Sequence, residues 1–263
     1  MNERTRPQAP ALIRIILPAA LIALYLPLVV MVAGSFLERV DGSSRFSLRW
    51  YHELAHDPVL WGALGRSVTI AFSSAALSTV LAILGSLALE RWVFKGRWPL
   101  RILSTISLML PELVLALSLL SWFSVLHMQL SLVTVAIAHI TLTLPFAIFV
   151  VGARLQTMEG SLEDAARDLG AGEWQVLTRV TLPLLGPAIV TAFLLAFLLS
   201  FDDFLVTFYT NGAGGDTLPV KLYSLMKTGL SPKLQALSTI MLLLSVVMVI
   251  MLVKLQQKNR SEA

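Results

Sequence analysis

The chain contains no cysteine, which removes disulfides, thiolate nucleophiles and cysteine-ligated metals at one stroke. It is also short of charge: Asp, Glu, Lys and Arg make up 14% of its 263 residues, against about 25% in ordinary soluble domains. Its four histidines are scattered, and no serine, histidine and carboxylate grouping has the spacing of a nucleophilic or metal site. No G-x-x-x-x-G-K-[ST] segment is present to cradle nucleotide phosphates. No internal repeat or low-complexity tract is evident. These absences speak against an enzyme, a resident metal and a bound cofactor.

What fills the chain instead is apolar surface, 56% of residues. A membrane helix needs about 20 mainly apolar residues to cross the hydrocarbon core. Six stretches qualify: Ile15–Phe36, Val68–Leu89, Ile102–Leu126, Leu130–Val151, Leu184–Tyr209 and Ala236–Val253. The expected fold class is an all-α membrane protein with six transmembrane helices. A tail over residues 1–14, one six-span domain over 15–253 and a second tail over 254–263 complete the plan. The first span is longer than a signal-peptide core and reads as a retained signal-anchor. With the N-terminus inside, thirteen Lys and Arg residues fall on cytosolic segments and seven on outer ones. That bias places both termini in the cytoplasm. The net charge of +4 reflects it and gives no reason to invoke nucleic acid.

Two features stand out from this background. The first is a polar insert, residues 154–183, between the fourth and fifth spans. Ser161 is placed to cap a helix, with Asp164 three residues on completing a capping box. Leu162, Ala165, Ala166 and Leu169 form an apolar stripe, and Gly170 suits the left-handed position that ends such a helix. A second helix is expected over Glu173 to Val180, before Pro183 and Pro187. Composition alone reads this as a helix pair lying among lipid headgroups.

The second feature is three acids inside spans: Glu112, Asp202 and Asp203. A charge at the bilayer centre costs about 2.5–3.5 kcal/mol even on lenient scales, and no Lys or Arg lies within a span to offset it. Glu112 is expected about 15 Å along a straight third span, near the midplane. Asp202 and Asp203, if helical, point about 100° apart. Three explanations stay open: the acids carry protons, they pair with basic groups of a partner subunit, or they line a wet path for cations. Glu112 follows Pro111, and a carboxylate there is also placed to cap a broken half-helix. His139, alone in the fourth span, reads as a helix–helix hydrogen-bonding residue. The aromatics of the first outer loop, Trp50, Tyr51 and Trp61, read as an interface belt.

Asp164-Ala165-Ala166, three residues, Gly170, nine residues, then Val180-Thr181-Leu182-Pro183 resembles the EAA signature of permease subunits in ABC importers. Asp replaces Glu, Val replaces Ile, and Glu163 sits one place earlier. The resemblance implies a type I permease fold. It makes Glu163, Asp164, Ala165, Ala166, Gly170, Leu182 and Pro183 the loop that docks on two ATP-binding cassette ATPase subunits, which would carry the ATP and Mg. Residues 200–240, with Ser200-Phe201-Asp202-Asp203, Thr217-Leu218-Pro219 and Gly229 to Pro232, are similar to the spermidine/putrescine branch. So is Pro111-Glu112-Leu113-Val114. That branch implies a polyamine or similar small organic cation, a second related permease in a heterodimer, and a periplasmic binding protein that selects substrate. It also implies residence in a bacterial inner membrane. The rival reading from the residues alone is a self-sufficient secondary cation transporter or channel using the three acids.

Overall fold

The structure is a computed structural model that describes residues 11–40, 43–227, 229 and 231–261. The expected N-terminal tail therefore lies outside the described residues as far as residue 10, as do residues 262 and 263 of the C-terminal one. In chain order the elements are α1 (Ala11–Ser35), β1 (Leu37–Val40), β2 (Ser43–Phe46), α2 (Arg49–Ala55), α3 (Pro58–Arg91), α4 (Arg97–Ser107) and α5 (Glu112–Val125). They continue with α6 (Leu132–Thr157), α7 (Ser161–Asp168), α8 (Glu173–Val176), α9 (Leu182–Phe201), α10 (Leu205–Thr210), α11 (Leu218–Lys227) and α12 (Pro232–Ser261). Among the described residues, five helices are long and apolar enough to cross a membrane. The pair α4 and α5, bent by 115° at its break, makes a sixth if counted as one span.

Contacts cluster into two units, Met1–Asp57 with Leu225–Leu242, and Pro58–Ser224 with Leu243–Ala263. In the first, α1 is followed by an antiparallel hairpin in which Leu37 faces Phe46 and Glu38 faces Arg45. This hairpin departs from the all-helical expectation. Phe36 stacks on Phe46 and meets the tilted ring of Tyr51, at 5.7 and 5.1 Å between ring centres. The Tyr51 hydroxyl meets Ser35 Oγ at 2.6 Å, and Trp50 Nε1 donates to the Leu37 carbonyl at 3.2 Å. Trp50 and Tyr51 thus hold the hairpin. Arg49 bridges Glu38 and Glu53, and its guanidinium holds the Glu38 carboxyl below the usual range.

The second unit is built on α3, α6 and α9, which pack on one another. Small residues allow this. Ala71, Ala75 and Ala82 of α3 and Ala138 and Ala147 of α6 are fully buried, so the backbones approach closely, as membrane helices require in the absence of a hydrophobic drive between them. Serines complete the seam: Ser74, Ser78 and Ser86 donate to the carbonyls of Ala136, Ile140 and Ile148, at 3.3, 3.5 and 3.2 Å. The offset of 62 residues is the same each time, so α3 and α6 run parallel, as the second and fourth of alternating spans must.

Two spans depart from the straight helices expected. The third breaks over residues 108–111, because Pro111 cannot donate to the preceding turn and biases its neighbour away from helix. Glu112 therefore opens a new helix instead of sitting 15 Å along an old one. The fifth breaks at Asp202 to Phe204, between α9 and α10. The connection beyond it contains α11, whose first N–H is accepted by Ser67 Oγ at 2.8 Å.

The buried seam supplies a stability test. Ala147 is fully buried against Ala82, Val151, Leu185 and Ala192. Ala147→Leu overpacks this contact and is expected to cost about 1–3 kcal/mol, seen as a lower unfolding temperature in detergent. Phe149→Leu on the same helix, 65% exposed, is expected to change stability by less than about 0.5 kcal/mol.

Candidate functional site

The three intramembrane acids converge. Glu112, Asp202 and Asp203 line one cavity of about 420 Å³, whose other walls include Leu115, Leu142, Phe146, Leu198 and Leu199. Glu112 is the first residue of α5, where the helix dipole favours a negative charge. The Pro111 carbonyl closes the first turn by accepting from Val114 and Leu115 N–H at 2.9 and 3.1 Å. The Glu112 carboxyl shares this cavity with Asp203.

Asp203 is the most constrained of the three. It is 5% exposed and sits before α10, whose first amides have no partner within the helix. Its Oδ1 accepts from Val206 N–H at 3.2 Å, and its Oδ2 accepts from Thr207 N–H and the Thr207 hydroxyl, both at 2.8 Å. His139 Nε2 of α6 lies 3.0 Å from the same Oδ2. The other ring nitrogen, Nδ1, meets Ser200 Oγ at 2.6 Å. His139 is 1% exposed and is the basic partner for which no Lys or Arg was available. Its expected role between helices holds, and its bond to Asp203 was missed. The signal was a lone histidine in one span and an acid pair in another.

Asp202 behaves differently. It is exposed, follows the last residue of α9, and accepts from the Ser245 hydroxyl of α12 at 2.9 and 3.1 Å. The expectation that the two aspartates share a helix at 100° is overturned, because α9 ends at Phe201. They diverge because Asp202 caps the C-terminal end of α9 and Asp203 accepts from the first amides of α10. With Asp203 committed to protein donors, Glu112 and Asp202 are the acids freer to meet a cation. The apolar side chains beside them suit a molecule with aliphatic segments.

The polar insert has its own geometry. Ser161 is not the cap: Gly160 already has helical dihedrals, the helix starts one residue early, and the Ser161 hydroxyl turns to Glu159 at 3.4 Å. Asp164 instead pairs with Arg167 at 2.9 Å. Gly170 has φ +86°, as its expected place requires. Gly170 N–H donates to Arg167 O at 2.9 Å and Ala171 N–H to Ala166 O at 3.0 Å, the double bond pattern of a Schellman end. The second helix does not stop at residue 180. After α8 it passes through a π-helical turn, Leu177–Thr181, directly into α9, with Pro183 tolerated in the first turn of α9.

Leu162, Leu169 and Trp174 are 54%, 90% and 74% exposed, leaving apolar surface on the insert. Ala165 is exposed, while Ala166 and Leu182 are half-buried. Arg167 joins Asp164 to Glu173, and its hydrogen bond holds the Glu173 carboxyl below the ordinary range. Glu163 alone among the insert's acids turns inward: it is 5% exposed and bonded to Arg91 and Thr181.

Residues 82–261 match the family described as binding-protein-dependent transport system inner membrane component. Over 238 residues the chain is 37% identical to the spermidine/putrescine transport system permease protein PotC of Haemophilus influenzae, covering 90% of this chain and 93% of that one. It is 34% identical over 228 residues to the putrescine transport system permease protein PotI of Escherichia coli, covering 83% and 81%. Among solved structures, a chain of a bacterial ABC transporter involved in the import of the acidic polysaccharide alginate aligns with a TM-score of 0.72 over 95% of each chain. Its 17% identity makes this a likeness of fold alone.

The unequal settings of the two aspartates predict unequal stability effects. Asp203→Ala strands two backbone amides, a hydroxyl and an imidazole and is expected to cost about 2–4 kcal/mol. Asp202→Ala loses one hydroxyl bond at an exposed site and is expected to cost under about 1 kcal/mol. Thermal unfolding of the detergent-purified protein checks the order.

Proposed function

The chain belongs to the binding-protein-dependent transport system inner membrane components, and on that premise we propose that it is the permease subunit of an ATP-driven importer of polyamines. The observation that carries the substrate class is the cavity where Glu112, Asp202 and Asp203 meet apolar walls. A polyamine presents ammonium groups separated by methylene runs, so acids beside leucine and phenylalanine side chains match both parts of it. The names of the relatives, spermidine/putrescine and putrescine permeases, point the same way.

In this reading the permease performs no covalent chemistry. Two ATPase subunits, holding ATP and Mg, dock on the insert, with Asp164, Ala165, Gly170 and the exposed Leu162, Leu169 and Trp174 at the contact. Leu182 and Pro183 begin the membrane helix that the insert moves. A second, related permease completes the pore, and a periplasmic binding protein delivers the substrate. The chain lies in the bacterial inner membrane with both termini cytoplasmic.

The broken helices at 108–111 and 202–204 are also what a self-sufficient cation transporter would use. Uptake of radiolabelled spermidine and putrescine by the reconstituted complex separates the two. The proposal expects uptake only with ATP inside and the binding protein outside; uptake driven by an imposed ion gradient without ATP would overturn it.

Two variant sets follow. Leu169→Asp and Trp174→Asp put charge on the docking face, and ATPase co-purification is expected to fall by roughly tenfold, as for loss of interface anchors. Glu112→Gln and Asp202→Asn keep shape and remove charge, and uptake is expected to fall by about tenfold with the complex assembled.

A further inference from the structure

Glu163 sits in a position that a docking residue would not occupy. Its side chain is 7% exposed, whereas that of its neighbour Asp164 is 74% exposed. One atom, Glu163 Oε1, accepts from Arg91 Nη2 at 3.1 Å and from Thr181 Oγ1 at 3.0 Å. Arg91 is the last residue of α3. Thr181 is the last residue of the π-helical turn that runs into α9. A single carboxylate oxygen therefore joins the first helix of the insert to the ends of two membrane helices.

The energetics distinguish this contact from its surroundings. The pairs Arg167–Asp164 and Arg167–Glu173 are solvent-exposed, and exposed pairs of this kind contribute little. A charge-assisted bond shielded from water is stronger and directional. Arg91 holds Glu163 through Nη2, while its buried Nε has no hydrogen-bond partner among the described residues. The grip is thus monodentate and can pivot. The π-helical turn beneath it has the wider, rarer winding that concentrates at functional places in helices. A pivoting charged link at Glu163 beside this turn is an arrangement for passing on movement.

Resting on the reading of α7 as part of the docking insert, we infer that Glu163 is a positioning residue that transmits displacement of α7 to α3 and α9 without touching the ATPase or the substrate. Its loss separates ATP hydrolysis from transport and leaves docking in place.

The test uses the whole complex with its ATPase and binding protein in proteoliposomes, with radiolabelled spermidine as the probe. Glu163→Gln retains a carbonyl that can accept from Thr181 and Arg91, so the fold is kept while the charge is lost. ATPase retention is expected to be unchanged and hydrolysis to stay within about twofold, while spermidine moved per ATP falls roughly tenfold, inside the usual range for coupling between sites. Arg91→Gln is expected to do the same, and the double variant to be no worse than either single one, as for two residues in one interaction. Wild-type spermidine per ATP in Glu163→Gln would overturn the inference. So would uptake and hydrolysis falling together in step with lost ATPase, which is what a merely structural role predicts. Full retention of the ATPase by Leu169→Asp would overturn the docking reading alone, and the spermidine-per-ATP ratio of Glu163→Gln still decides the role of Glu163.

Discussion

The carboxylate of Asp203 takes two backbone amides, a threonine hydroxyl and an imidazole, and the break between α9 and α10 depends on that junction. Inside a membrane, a helix that starts afresh leaves its first N–H groups without partners in the helix or in the lipid. The chain stops α9 at Phe201 and starts α10 four residues later, and Asp203 supplies the acceptors that the break requires. Because the carboxylate accepts at Nε2, that nitrogen carries the hydrogen, and the ring bonds on its far side to Ser200 of α9. α6, α9 and α10 are thereby tied at one place. Asp202, next to Asp203 in the chain, is held beside the cavity by this tie.

The sequence made the apolar segments legible because the bilayer imposes a length and composition on each. Pro111 and Glu112 together marked the first break. Nothing comparable marked the second: no Gly or Pro lies between Leu198 and Phe208, and the apolar run continues on both sides of the aspartates. The acids themselves were the only local sign. Gly170 could be placed because a left-handed residue has few substitutes, whereas Ser161 lost its expected role to a one-residue shift in where the helix begins. The hairpin at 37–46 was hidden by its shortness. The inward turn of Glu163 was hidden for a different reason. A periodicity argument counts apolar residues on a face and does not register a buried acid, and the partner that allows its burial, Arg91, lies 72 residues away.

The insert combines two kinds of charge. Its outer acids and Arg167 form a surface cluster that water and salt screen, and which can rearrange against a partner at little cost. Its one inner acid is held by donors from elements on either side of it in sequence. The outer charges leave the insert's surface adaptable, while the inner one keeps the insert part of the fold.

The serine seam between α3 and α6 has a mechanical corollary. Each hydroxyl bond is long and individually weak, but all three share one register. Sliding either helix by a single residue, ~1.5 Å along its axis, would break every one of them together. The two helices therefore behave as one stiff strut, and any slack in this unit belongs to the short irregular joints around it.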